Sequence, residues 1–168
     1  PPSLRYASDL KHGPTGQVLP AMVAAVQDIS GHITGIHRTF LTSDGRKKAP
    51  VTDNKMMFGP CAGGAVRLVA VAPKLAIAEG IETALSFMQA TGIPTWAALS
   101  TSGVKAVILP DIVREVVIAA DRGKAGEEAA KHAAKRFATE GRTAHIVMPP
   151  GDADDFNTVL QQESEAAE

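Results

Sequence analysis

The sequence predicts an α/β fold: an open, mainly parallel sheet flanked by helices, preceded by a small subdomain that contains a β-hairpin. Three observations predict it. From Val66 onward, short apolar segments alternate with stretches of helical periodicity, the pattern of a parallel sheet covered on both faces. Before Val66, two apolar or alternating segments flank a Gly-containing turn. Acidic residues also stand directly after two of the later apolar segments, where an open α/β sheet collects its function. The 168 residues suffice for one ordinary domain or a domain with a small appendage. Hydrophobic residues make up 45% but aromatics only 4%, so the core has to be built from Ala, Val, Ile and Leu.

Residues 21–28, Ala-Met-Val-Ala-Ala-Val-Gln-Asp, read as a short buried strand, and Ser30-Gly31 as the turn after it. From Ile33 to Leu41 the chain alternates, with Ile33, Gly35, His37, Thr39 and Leu41 on one side and Thr34, Ile36, Arg38 and Phe40 on the other, so the pair is expected to form a hairpin. Ser43-Asp44-Gly45 is a second turn, and 46–64, rich in Lys, Pro and Gly, reads as a surface loop. Val66–Val71 and Leu75–Ala78 are short apolar segments separated by Pro73. A helix follows from Ile81 to Thr91, with Ile81, Ala84, Leu85 and Met88 on one face and Gly92 at its end. Trp96–Leu99 reads as a strand, 102–108 as a short helix, Glu115–Ala120 as a strongly apolar strand, and Ala125–Thr139 as a helix stopped at Gly141. Ala144–Met148 is the last strand and Phe156–Gln162 the last helix, with a frayed acidic tail from about Ser164. This divides the chain into a basic β-rich part (1–68), an α/β part (69–163) and a tail (164–168).

Net charge is −1, but its distribution is uneven. Residues 1–68 carry eight Lys and Arg against four Asp, a balance of +4; residues 69–168 carry nine against fourteen acids, a balance of −5. A basic part beside an acidic one suits polyanion binding next to metal binding, although charge alone supports chance asymmetry equally well. No apolar run is long enough to cross a bilayer, and Pro1-Pro2-Ser3-Leu4-Arg5 has no apolar signal core. The sequence does not begin with Met and is expected to be part of a longer protein. Its one cysteine, Cys61, excludes an internal disulfide and fits a reducing cytoplasm. The five histidines have no zinc spacing, and Gly59–Gly64 is not followed by the Gly-Lys-Ser/Thr of a phosphate-binding P-loop. Ser100-Thr101-Ser102-Gly103 reads as a polar loop at a strand end, placed for a phosphate contact rather than for nucleophilic attack.

The chemistry is expected from carboxylates. Glu79 follows Leu75–Ala78 directly and precedes Gly80, with Glu82 in the first helical turn; Asp121 follows Val116–Ala120; Asp152, Asp154 and Asp155 cluster after the Pro149-Pro150-Gly151 turn. Carboxylates converging from separate strand ends are hard oxygen ligands suited to Mg²⁺ or Mn²⁺. Asp and Glu at helix starts are also ordinary caps, and taken alone Asp155 and Glu82 read better as caps than as ligands. Glu79 and Asp121, each between a buried strand and a turn, are harder to explain that way.

Ala76-Ile-Ala-Glu79-Gly80-Ile-Glu82-Thr-Ala-Leu-Ser86 resembles the first motif of the Toprim family, a Glu-Gly pair between strand and helix. Val116-Val-Ile-Ala-Ala-Asp121-Arg-Gly123-Lys-Ala-Gly126 resembles its second, ordinarily Asp-x-Asp, and Pro149-Pro150-Gly151 with Asp155-Phe156-Asn157 is similar to the third acidic segment in plasmid and phage primase-helicases. Upstream, Ala21–Leu41, Lys48-Ala-Pro50, Lys55, Gly59 and Gly63-Gly64-Ala-Val-Arg67 are similar to the segment preceding Toprim in bacterial-type primases. The resemblance implies the Toprim fold in a primase catalytic core, with Glu79 and Asp121 catalytic. It implies Mg²⁺ or Mn²⁺ held by Glu79, Asp121 and Asp155 with Asp152 or Asp154. Basic residues, Arg38, Lys47, Lys48, Lys55, Arg67 and Lys124, are expected along the nucleic-acid and nucleotide path. Lys47, Lys48 and Lys55 are expected in a loop facing the acidic cleft. Single-stranded DNA and nucleoside triphosphates are the implied partners, with helicase and zinc domains elsewhere in a longer protein. A topoisomerase would need a nucleophilic tyrosine in a separate domain, and the one tyrosine is Tyr6, near the start.

One departure matters: the second Asp of Asp-x-Asp is Gly123, between Arg122 and Lys124. A ligand is lost, and two cations are expected where they weaken metal binding. Three outcomes stay open: Asp152 or Asp154 supplies the missing oxygen, one metal on Glu79 and Asp121 suffices, or catalysis is lost and a binding role for nucleic acid or protein remains. A Toprim nuclease is a further alternative.

Overall fold

The computed structural model describes residues 1–166. Strands β1 (Leu4–Lys11), β2 (Val18–Gln27), β3 (Ile33–Phe40) and β4 (Lys55–Phe58) form an antiparallel sheet in the order β1-β2-β3-β4. The expected hairpin is β2–β3, with Ala24 opposite His37 and Ala21 opposite Phe40. Its turn is closed by Asp28, whose Oδ1 accepts from the backbone N–H of Ser30 and of His32, both at 2.9 Å, while Gly31 takes φ 87°.

Three features of this sheet differ from the sequence reading. β2 begins three residues earlier and includes Pro20, which lacks the donor that usually marks a strand interior. β1 carries Arg5, Tyr6, Ser8, Asp9 and Lys11 and is mostly exposed; an edge strand with little to bury shows no apolar alternation. β4 lies inside the segment read as a loop, and its four residues pair with Ile36–Thr39.

The second sheet has the order β5-β7-β6-β8-β9. Its strands are β5 (Val66–Arg67), β6 (Lys74–Ala78), β7 (Thr95–Ala97), β8 (Glu115–Ala119) and β9 (Thr143–Val147). β7, β6, β8 and β9 run parallel, and the edge pair β5–β7 is antiparallel. The helices are α1 (Ile81–Thr91), α2 (Thr101–Ala106), α3 (Lys124–Thr139) and α4 (Phe156–Ala166). α4 includes Ser164–Ala166; the last two residues of the expected tail, 167–168, lie outside the described ones.

Both faces are covered, as the near-continuous apolar runs of β6 and β8 require. Leu75, Ile77, Trp96, Val116 and Ile118 pack against Val104 of α2 and Ala129, Ala130, Ala133 and Phe137 of α3. The alternate residues Ala76, Ala78, Ala97, Val117 and Ala119 pack against Ile81, Ala84 and Phe87 of α1 and Phe156 of α4. Ala24 and Val26 of β2 enter this second core, and Gln27 and Ala65 exchange both backbone hydrogen bonds at 2.9 and 3.0 Å. The first sheet is thereby docked on the second beside the start of α1. None of the described helices is long and apolar enough to cross a membrane.

Candidate active site

β6 and β8 are parallel neighbours, with Ala78 opposite Ala119. The residues that follow them, Glu79 and Asp121, therefore leave adjacent strands at the same edge of the sheet. Gly80 caps α1 with extended backbone, and Glu82 lies in its first turn. Asp155 precedes α4, and its Oδ1 accepts from Thr158 N at 2.7 Å and Thr158 Oγ1 at 2.9 Å. The cap reading of Asp155 holds, and the same residue also faces the site. A cleft of about 210 Å³ is lined by Glu79, Glu82, Asp121, Asp155, Asn157, Lys48 and Lys55, with Gly80, Thr83 and Leu99 between them.

The charges in this cleft are unequally matched. Burial pushes the Asp121 carboxyl up to about 6, helped by the negative charges of Glu79, Asp155 and Glu82, with Lys55 opposing. Burial raises Glu79 too, against Lys55 and a hydrogen bond from the Thr101 backbone. Burial also pushes Glu82 upward, but its own backbone N–H, Lys55 and Lys48 together hold it below the usual range. Lys48 Nζ is 3.2 Å and Lys55 Nζ 3.4 Å from Glu82 Oε1. Glu82 is thus matched by two lysines, whereas Asp121 Oδ1 is buried with no hydrogen-bond partner. A buried carboxylate oxygen without a donor, surrounded by like charges, is the environment a hard cation relieves. Among the described residues, no three His, Cys, Asp or Glu side chains form a ready-made metal cage. The donors are nonetheless all oxygens, and they suit Mg²⁺ or Mn²⁺.

Not every expected residue reaches this cleft. Asp152 and Asp154 are exposed on the loop before α4 and do not line it. Lys48 and Lys55 line the cleft with the acids, Lys55 from β4 rather than from a loop; Lys47 is exposed beside the Thr42–Lys47 turn, and Lys124 is exposed at the start of α3. Arg38 is paired across the sheet with Met56, on the face opposite His37 and Thr39, away from the acids. The Arg67 guanidinium donates to the carbonyls of Asp28 and Ile29 and lies 4.3 Å over the Trp96 ring, so it locks the hairpin turn to the second sheet.

Arg122, expected beside the metal site, behaves differently. Arg122 turns away from Asp121: its Nε donates to Ala153 O at 3.0 Å, and Nη2 to Pro149 O at 2.8 Å and Gly151 O at 2.6 Å. The backbone N–H of Arg122 also donates to Asp154 O at 2.7 Å. Arg122 therefore fixes the loop that delivers Asp155. The cation that bears on Asp121 is Lys55, from the other sheet.

Sequence reading missed two residues here. Glu82 looked like a helix-start acid; the one signal in the sequence was its place three residues after Glu79. His37 stood out only as part of the hairpin segment that resembles the one preceding Toprim, with no role given to it. It is buried, its Nδ1 has no partner, and burial with the nearby Lys55 charge pushes it down to about 4, so it is neutral near pH 7.

The model of a Toprim domain matches residues 74–166, and that of a domain of unknown function (DUF7146) matches residues 1–68. No curated protein matches the chain. Among solved structures, the primase fragment of the bacteriophage T7 primase-helicase protein is similar over 88% of this chain and 60% of its own, at 18% identity and TM-score 0.59. A DNA primase domain from Pseudomonas aeruginosa is similar over 95% and 55%, at 14% identity and TM-score 0.58. The Aquifex aeolicus primase, in its zinc-binding and RNA polymerase domains, is similar over 88% and 38%, at 15% identity and TM-score 0.58. The chain thus spans less than two thirds of each of these three structures.

Proposed function

This chain belongs to the Toprim family, and from that membership and the cleft geometry we propose that it is the catalytic core of a primase-like nucleotidyltransferase of the plasmid and phage branch, acting on single-stranded DNA in the cytoplasm. Its fold is that of the primase cores. The observation that carries the reading is the meeting of Glu79 and Asp121 from the ends of β6 and β8, and Asp155 from the loop before α4, with Lys48 and Lys55 from the first subdomain in a single cleft.

In this reading Glu79, Asp121 and Asp155 hold Mg²⁺ or Mn²⁺, which when bound stabilises negative charge on phosphoryl oxygens. Lys48 and Lys55 bind the triphosphate of the incoming nucleotide, exchanging Glu82 for phosphate oxygens. Phosphoryl transfer depends mainly on positioning and charge stabilisation, which carboxylates and ammonium groups fixed on two docked sheets provide. A 3′-hydroxyl oxygen forms the new bond to the α-phosphorus as the bond from that phosphorus to the β-phosphate bridging oxygen breaks, pyrophosphate leaves, and the hydroxyl proton passes to solvent water. The single-stranded template would pass the same lysines at the cleft, and any helicase partner would be engaged through further domains.

Primer synthesis by the full-length protein on a single-stranded template with Mg²⁺ or Mn²⁺ tests this. Glu79→Gln should abolish it; an unchanged primer yield in that variant would rule the mechanism out. A second reading, a binding module without catalysis, is favoured by Gly123, which removes one carboxylate from the motif. A folded protein that binds neither Mn²⁺ nor nucleoside triphosphate in calorimetric titration would support this alternative.

A further inference from the structure

Beside the carboxylate cleft lies a slot of about 250 Å³, between β4 with the Cys61–Gly63 segment on one side and the β7–α2 turn on the other. We propose that this slot receives the base of the nucleoside triphosphate whose phosphates occupy the cleft, an inference that rests on the nucleotidyltransferase reading.

The lining has the character a heteroaromatic ring requires. Met57, Cys61 and Leu99 supply apolar walls, and Ser100 and Ser102 supply hydroxyls, 2.9 Å apart, at the polar edge. Binding sites for small organic groups combine apolar walls with a few placed polar atoms. The volume is below the roughly 300 Å³ at which pockets for whole drug-sized ligands begin, so it suits one ring system rather than an entire nucleotide. Hydroxyls both donate and accept, so the slot has the means to pair with the edge of any base and little means to choose among them.

The slot and the cleft adjoin. Leu99 lines both spaces. Its backbone stands at φ 74°, a strained conformation for a residue other than glycine that persists only where neighbours enforce it. They do so here: Leu99 N donates to Glu79 O at 2.8 Å, and the next residue, Ser100, caps α2 by accepting from Gly103 N at 2.9 Å. The turn that forms one wall of the slot is thus bonded to the segment that carries the Glu79 carboxylate. A nucleotide with its base in the slot and its phosphates toward Lys48 and Lys55 would pass the carboxylates on the way.

Cys61 makes the proposal directly testable, because it is the one cysteine of the chain, it is partly accessible, and it lines the slot. Burial raises its thiol, so alkylation with a bulky maleimide is followed at pH 8.5. Saturating ATP, GTP, CTP or UTP with Mg²⁺ should each slow labelling fivefold or more, whereas inorganic tripolyphosphate with Mg²⁺ should not. Ala106→Phe, which fills the slot from the exposed end of α2, should weaken ATP binding about tenfold and leave tripolyphosphate binding unchanged. Equal protection by tripolyphosphate, or bound ATP that leaves labelling unaffected, overturns the slot and leaves the nucleotidyltransferase reading standing. Wild-type ATP affinity in folded Ala106→Phe does the same. If neither ATP nor tripolyphosphate binds the wild-type chain, the functional reading fails and the slot falls with it.

Discussion

Lys55 of β4 and Glu82 of α1 form an ion pair of 3.4 Å that ties the antiparallel sheet to the parallel one across the mouth of the acidic cleft. Lys48 reaches the same carboxylate at 3.2 Å. Each pair is part-exposed and contributes at most about 1 kcal/mol to stability. Its larger consequence is for ligands, because Glu82 occupies the two ammonium groups a polyanion would use. Glu82→Gln should tighten metal-free binding of tripolyphosphate several-fold and steepen its salt dependence. For single-stranded DNA, each phosphate contact adds about 0.7 to the slope of log K against log salt. Lys48→Ala with Lys55→Ala should flatten that slope, and Lys47→Ala alone should change it little. Salt titrations of the four proteins decide the point; identical slopes would show that the lysines do not track phosphate.

Asp121 makes the metal-free fold sensitive to pH. Its folded carboxyl sits at about 6, above the ordinary 3.8, so between those values the folded chain keeps a proton that the unfolded chain has released. That preference stabilises the fold at low pH and is lost as pH rises through about 6. Asp121→Asn should therefore be more stable than wild type at pH 8 in EDTA, by about 1–2 kcal/mol once solvent screening is allowed for. The advantage should vanish at pH 4. Melting curves at the two pH values check it, and an advantage of equal size at both would place its origin elsewhere than in this charge.

Mn²⁺ should raise the melting temperature of the wild-type chain at pH 8, and the increment should fade below about pH 6 as protonation of Asp121 competes with the ion. The increment should disappear in Asp121→Asn and shrink in Asp155→Asn. Asp152→Asn and Asp154→Asn, outside the cleft, should retain it. Loss of the increment in either of the last two would mean that the loop before α4 rearranges to bring another carboxylate in.

Arg122 should matter for the metal without touching it. Its guanidinium satisfies the carbonyls of Pro149, Gly151 and Ala153, so Arg122→Ala leaves three acceptors without a donor. Charged hydrogen bonds contribute about 1.5–3 kcal/mol each when buried, and these are partly solvated, so a total cost of about 2–4 kcal/mol is expected in urea denaturation. Mn²⁺ affinity should fall as well, because Asp155 is no longer held. Arg122→Lys, with a point charge in place of a planar fork, should recover little of either. A variant with wild-type stability and affinity would refute this positioning role.

Gly123→Asp should not rebuild an Asp-x-Asp site. Gly123 has φ 111° and ψ 159°, outside the left-handed helical region that Asp tolerates and in one that is almost confined to glycine. A Cβ there meets no atom within 4 Å, so the penalty is conformational rather than steric crowding. A loss of about 1–3 kcal/mol with no gain in Mn²⁺ affinity is expected. Tighter Mn²⁺ binding in the mutant would show that the loop can adopt a second, ligand-competent form.

What the sequence determined by itself was local and periodic. The apolar runs of β6 and β8 read as buried strands of a mainly parallel sheet, with the acids following them, Glu79 and Asp121, at strand ends; that the two strands are neighbours, so that the acids emerge together, was decided by the tertiary structure. The hairpin, the length of α1 and the Gly92 cap were legible, since each is set by neighbours in the chain. β1 and β4 were not legible: an exposed edge strand and a four-residue strand bury too little to impose alternation. The tertiary structure alone decided which charges meet. Three acids stood within four residues of one another, and the conformation of the 149–155 loop, held by Arg122, sends Asp155 rather than Asp152 or Asp154 to the cleft. Lys55 and Glu82 are far apart in sequence and meet because β2 docks on the second core, and Arg67, equally basic, is spent on the hairpin turn and Trp96. Periodicity records which side of an element is buried; it carries no record of which distant side chain waits on the other side of the interface.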